Sequence, residues 1–142
     1  MARGFTLPEI AVVTALAGFM LALALPRFGR ALDHYTADAA AREITTLIAT
    51  ARYTAIAQGK RTRLRVNSDS LVIDTLGRVD WGLIRAWPGP GQRGVTLAAS
   101  NHVVTFAPNG IPWGVANTTI SLWRGSHVET VVVSRLGRVR RG

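Results

Sequence analysis

Residues 10–25 read IAVVTALAGFMLALAL, a run with no charge and only one hydroxyl, on Thr14. With residues 5–7 in front, the apolar stretch nears the roughly 20 residues that a helix needs to cross a bilayer. Positive charge flanks it on both sides, at Arg3 and at Arg27 and Arg30, so charge gives no orientation. Two readings fit such a run. In one it is a secretory signal peptide, with Arg3 as the basic region and Ala22-Leu23-Ala24 as the cleavage site. In the other it is an anchor that stays on the mature chain.

Glu9 separates the two. A charge inside a membrane helix costs roughly 2.5–3.5 kcal/mol at its centre, so a chain that keeps one supplies a partner. The nearest candidate is a free α-amino group on Phe5, in the same chain or a neighbour, and it exists only after a cut behind Gly4. The anchor reading is therefore favoured.

Gly4-Phe5-Thr6-Leu7-Pro8-Glu9 followed by a long apolar run resembles the leader junction of type IV pilins and type II secretion pseudopilins. The resemblance implies that a prepilin peptidase cuts between Gly4 and Phe5 and methylates the Phe5 amine. It also implies that Glu9 pairs with a neighbouring subunit's N-terminus during assembly. Pro8 replaces the commoner β-branched residue, which a first helical turn tolerates because that N–H has no partner anyway.

Beyond Pro26, which bends a helix without ending it, apolar residues recur at helical spacing. They are Phe28, Leu32, Tyr35, Ala39, Ile44, Leu47, Ile48, Ala51 and Ala55. The spacing predicts one helix from about residue 6 to residue 58, apolar all round in its first half and amphipathic in its second, with Gly59 as its C-cap. Extended segments follow at 62–66, 71–75, 79–87, 95–98, 102–106, 117–123 and 128–134, separated by turn-rich stretches. The continuous apolar run 131–133 suggests a strand buried on both faces. The fold class is α+β: a long N-terminal helix packed on an antiparallel β-sheet, as the pilin resemblance also implies. The expected division is a leader (1–4), a transmembrane and assembly segment (5–26), its amphipathic continuation (27–58), a β-rich globular domain (59–134) and a basic C-terminal tail (135–142).

The C-terminal half is similar to the domain shared by GspH, a minor pseudopilin of type II secretion, and FimT, a minor pilin of type IV pili. Phe106-Ala107-Pro108-Asn109-Gly110, Thr119–Leu122 and residues 131–139 carry the similarity. Gly137-Arg138-Val139-Arg140 resembles the GRxR motif with which FimT proteins of competent bacteria bind DNA. In an extended segment Arg138 and Arg140 project the same way. Arg135 and Arg141 add charge, and Gly137 would let the backbone approach a phosphate chain. The arginine fork suits phosphate because it binds two oxygens at once.

The net charge of +9, with Lys60 the only lysine, points to an anionic partner. The resulting expectation is a minor pilin that captures duplex DNA without sequence preference and supports uptake in natural transformation. Its partners would be DNA, other pilins, the prepilin peptidase and the inner membrane, and its place the inner membrane and periplasm or a filament. The alternatives are a structural GspH-like pseudopilin of type II secretion, or a minor pilin that primes assembly without binding DNA.

Other groups suggest less. Arg61, Arg63 and Arg65 share one strand face, read here as the solvated face of an edge strand. Of the four tryptophans, Trp113 in its loop is the best placed to stack on a base. His34, His102 and His127 show no metal-ligand spacing. No catalytic residue, metal or cofactor is expected: there is no cysteine, no paired acid and base, and no phosphate loop.

Overall fold

The structure, a computed structural model, describes residues 6–114 and 117–142. Gly4 and Phe5, the positions of the expected cut and methylation, lie outside the described residues. The first element is α1 (Leu7–Gln58). Thr6 caps it: its N–H and its Oγ1 both lie 3.3 Å from Glu9 Oε2. This is a capping box, in which the third helical residue closes back on an N-terminal amide that the helix leaves unpaired. At the other end Gly59 takes φ +61°, Lys60 N–H donates to Ala55 O, and Gly59 N–H donates to Ile56 O. That is a Schellman cap, which needs a left-handed residue and so a glycine.

The chain forms two units, one ending at Leu32 and one spanning Asp33–Gly142. In the first, Leu16, Phe19, Leu23 and Leu32 are each more than half exposed. This helix stretch is long and apolar enough to cross a membrane. Thr14, its one hydroxyl, donates to the carbonyls of Ile10 and Ala11, so it brings no unpaired donor into an apolar medium.

In the second unit, α1 buries Ala37, Ala40, Ala41, Ile44, Leu47, Ile48, Ala51 and Ala55, a stripe at three- and four-residue spacing. The sequence reading began this face earlier, but Phe28, Leu32 and Tyr35 are exposed. Alanines open the buried stripe instead, and their small side chains let β-structure approach the helix closely.

The strands are β1 (Thr62–Val66), β2 (Ser70–Leu76), β3 (Trp81–Pro88), β4 (Thr96–Ala99), β5 (Val103–Phe106), β6 (Thr118–Arg124), β7 (His127–Val133) and β8 (Val139–Arg141). A 3-10 turn, Pro90–Arg93, precedes β4. The strands make two antiparallel sheets, ordered β3-β2-β1-β5 and β4-β6-β7-β8. The sequence suggested a single sheet. Two arise because β5 returns to pair with β1 (Leu64↔Val104) while β4 pairs with β6 (Leu97↔Leu122).

One core joins the helical stripe to both sheets. Leu64, Leu71 and Phe106 come from one sheet, and Ile120, Leu122 and Val131 from the other. Phe106 is fully buried, which contributes roughly 1.5–3 kcal/mol relative to exposure.

Three expectations are corrected. First, β1 lies inside its sheet, so the Arg61, Arg63 and Arg65 face is not on an edge. Second, Val131 and Val133 are buried but Val132 is only partly so, because β7 presents one face to the core and the other outward. Third, residues 135–142 are not a tail. Val139–Arg141 form β8, in register Val133↔Val139, Val132↔Arg140 and Val131↔Arg141. Gly142 and Thr130 exchange two further backbone bonds that extend the ladder.

Candidate nucleic-acid interface

The C-terminal arginines are placed by one hairpin. Gly137 N–H donates to Ser134 O, Ser134 N–H donates to Arg138 O, and Ser134 Oγ accepts from Arg138 N–H. Gly137 takes φ +78° and is buried. A three-residue hairpin loop calls for a left-handed residue at its last position. The glycine therefore shapes the turn, and a Cβ added there would meet Pro112 Cδ at 3.2 Å and Gly110 O at 3.4 Å. The turn thus calls for glycine at 137 for a reason that does not involve DNA.

Past the turn, strand alternation sorts the side chains. Val139 and Arg141 lie opposite buried Val133 and Val131 and share their inward face. Arg138 and Arg140 lie on the outward face, and both are exposed. Arg141 reaches α1, with its Nη2 2.9 Å from Asp38 Oδ1. Asp38 also accepts from Arg42 Nε at 2.9 Å. The Arg42 hydrogen bond, helped by the charges of Arg141 and His34, holds the Asp38 carboxyl below its usual range against the opposing effect of burial. Arg141 is thus a clasp between β8 and the helix, and the register separates it from Arg138 and Arg140.

Arg135 lies exposed in the turn, where its N–H donates to Asn117 Oδ1. Arg52 supports the turn from below, with Nη1 3.4 Å from Gly137 O. Among the described residues no carboxylate reaches Arg135, Arg138 or Arg140. The ion-paired carboxylates are engaged elsewhere: Asp33 with Arg124, Glu43 with Arg93, Asp74 with Arg63 and Arg65, and Glu129 with His127. Three exposed guanidinium groups on one hairpin, with no carboxylate partner among the described residues, make a small patch of positive charge.

The second basic cluster is already occupied. Asp74, nearly buried, accepts from Arg63 Nε at 2.9 Å and Arg65 Nε at 2.8 Å. Arg63 also covers the Trp81 ring, and Arg61 stands 3.6 Å from the Trp113 ring centroid. A guanidinium therefore already covers one face of the Trp113 ring. What sequence spacing missed is a group formed across the fold: His34 and His127, 93 positions apart, meet beside Glu129. Only the pairing of the β6–β7 hairpin against α1 brings them together.

A helix able to span a bilayer, continuing into a face that lines a two-sheet β-domain, defines a pilin-type filament subunit. Residues 40–137 match the family described as "Type II transport protein GspH". The chain is 28 % identical over 159 aligned positions to the pilin-like protein PilA1 of Thermus thermophilus, with 97 % of each chain covered. Its fold is similar to that of the type IV minor pilin FimU of Pseudomonas aeruginosa, with TM-score 0.64 and 18 % identity over 75 % of this chain and 87 % of that one. It is likewise similar to EpsH, a minor pseudopilin from the Type 2 Secretion System of Vibrio cholerae, with TM-score 0.62 and 14 % identity over 75 % and 95 %. The chain belongs to the GspH family of minor pilins and pseudopilins.

Proposed function

We propose that this subunit is a FimT-like minor pilin that binds duplex DNA through Arg138 and Arg140, with Arg135 beside them, and serves DNA uptake in natural transformation. The observation that carries the reading is the pair of exposed, outward-facing guanidiniums on Arg138, just before β8, and Arg140, within it, with no carboxylate partner among the described residues. Arg141 acts indirectly, by holding β8 to α1. Capture is electrostatic: each arginine displaces counterions from the phosphate chain and reads no bases. Retraction of the filament would then draw the DNA inward.

The same reading places the mature N-terminus at a methylated Phe5 after prepilin peptidase cuts behind Gly4. It anchors the chain in the inner membrane through the apolar part of α1, with the β-domain on the periplasmic side or in the filament. Glu9, which accepts from Thr6 in the isolated chain, would exchange that bond for a neighbouring subunit's amine on assembly. A second reading, a structural pseudopilin of type II secretion, draws on the family's own description and the fold shared with EpsH.

The test is a titration of the full chain, in non-ionic detergent micelles, with labelled duplex DNA at several salt concentrations. The parent should bind with an affinity that falls steeply with salt. Arg138→Gln/Arg140→Gln should bind weakly and lower the slope of log K against log salt by about 1.8, or ~0.9 per lost phosphate contact. The exposed pair Arg78→Gln/Arg85→Gln removes the same charge elsewhere and should leave the slope unchanged. Equal weakening of both variants, or no binding by the parent near physiological salt, would favour the pseudopilin reading.

A further inference from the structure

His34 projects from α1, and His127 and Glu129 from β7. His34 Nδ1 lies 2.8 Å from His127 Nε2, which lies 3.0 Å from Glu129 Oε1. All three atoms fall within 4.8 Å of one another, and the two rings cross at 83°.

Proton counting makes this junction unusual. A neutral imidazole carries one N–H, and an ionised carboxylate carries none. With both imidazoles neutral, either one hydrogen on His127 Nε2 is shared between both neighbours, or one contact sets lone pair against lone pair. A hydrogen on each facing nitrogen would set two N–H groups against each other across 2.8 Å. Three lone-pair donors converge where protons serve them poorly, whereas one divalent cation serves all three.

The surroundings leave the donors free for that role. Asp33 is held by Arg124, and Asp38, one turn along the helix from His34, is held by Arg42 and Arg141. Glu129 has no arginine partner among the described residues, and His127 is its one ion-pair contact there. His34 is exposed, which gives a metal ion a path in and leaves room for a water as fourth ligand. Two imidazole nitrogens and one carboxylate oxygen form a donor set for Zn²⁺, whereas Ca²⁺ and Mg²⁺ take oxygen shells. Zinc–ligand bonds of about 2.0–2.2 Å in a tetrahedron set the donors about 3.3 Å apart. Small rotations of exposed His34 and of His127 would open the observed spacing to that value.

We propose that His34, His127 and Glu129 form a Zn²⁺ site that fastens α1 to the β6–β7 hairpin. Zn²⁺ is the ligand, and fixing the helix against the hairpin is its effect. The full chain, purified without a histidine tag in non-ionic detergent, stripped with chelator and titrated with ZnCl₂ by calorimetry, tests this. One equivalent should bind. His34→Ala and His127→Ala should abolish saturable binding, Glu129→Gln should weaken it at least tenfold, and His102→Ala should leave it unchanged. Co²⁺ in place of zinc should give the intense visible absorption of a four-coordinate site, lost in His34→Ala. Zinc at ~100 times its Kd should raise the tryptophan-fluorescence melting midpoint by several degrees in the parent but not in His34→Ala. His34 is exposed, so its truncation leaves the core intact and that comparison readable. Absence of saturable binding by the parent, unchanged binding by Glu129→Gln, or equal loss in His102→Ala would overturn the proposal.

Discussion

Replacing Gly137 by alanine separates two roles for the glycine of the Gly-Arg-Val-Arg segment. Gly137 has φ +78°, and a Cβ there would meet Pro112 Cδ at 3.2 Å, Gly110 O at 3.4 Å and Arg52 Nη1 at 3.6 Å. Gly59 serves as reference: it has φ +61°, but an added Cβ would meet nothing within 4 Å. An L-residue held left-handed costs roughly 1–2 kcal/mol, and Gly59→Ala should cost no more than this. Gly137→Ala carries the same term plus the crowding against Pro112, about 1 kcal/mol more if the ring shifts only partly. At ~4 °C per kcal/mol for a domain of this size, Gly59→Ala should lower the melting midpoint by about 4–8 °C and Gly137→Ala by about 8–12 °C. All four tryptophans lie within Asp33–Gly142, so their fluorescence reports this unit's unfolding alone. Below the transition, Gly137→Ala should keep the parent's DNA salt slope, because both arginines remain. A variant that melts like the parent yet loses DNA affinity would refute this reasoning. It would mean that the glycine acts by letting the backbone meet phosphate.

Two further outcomes follow from the geometry. Asp74→Asn keeps the shape but removes the charge that Arg63 and Arg65 share, so it should destabilise the unit by roughly 1.5–3 kcal/mol. Denaturant unfolding checks this, and an unchanged midpoint would show that the Asp74 charge contributes nothing to stability. The proposed processing predicts that chain isolated from cells with an active prepilin peptidase has the intact mass of residues 5–142 plus one methyl group. A mature chain beginning after Ala24 would restore the signal-peptide reading.

The sequence made some of this fold legible because certain residues have few conformational options. Gly59 marks the end of α1 since a helix that closes with a left-handed residue selects glycine. Arg124-Gly125-Ser126-His127 marks the β6–β7 hairpin for the same reason, with Gly125 at φ +56°. β8 was illegible: three residues with one apolar side chain carry no alternation to read, and the strand exists because β7 offers a partner. The fates of Arg138 and Arg141 split for that reason too, since only register reveals which face each one takes. The interior position of β1 depends on β5 returning across some forty residues, and local pattern does not encode that return. The buried stripe of α1 was misplaced at its start because alanines, which carry little hydrophobic signal, do the packing there.

β8 is also the open rim of its sheet, with no strand beyond it among the described residues. An unpaired strand rim invites another chain to add itself, a hazard that proteins blunt with charge. Pilin-type subunits wait in a membrane beside many copies of themselves. Like-charged guanidiniums at 138 and 140 would keep two such rims apart. Loss of these arginines would therefore bare the rim to its own kind, so under the proposed function DNA capture and restraint from self-association would rest on the same two side chains.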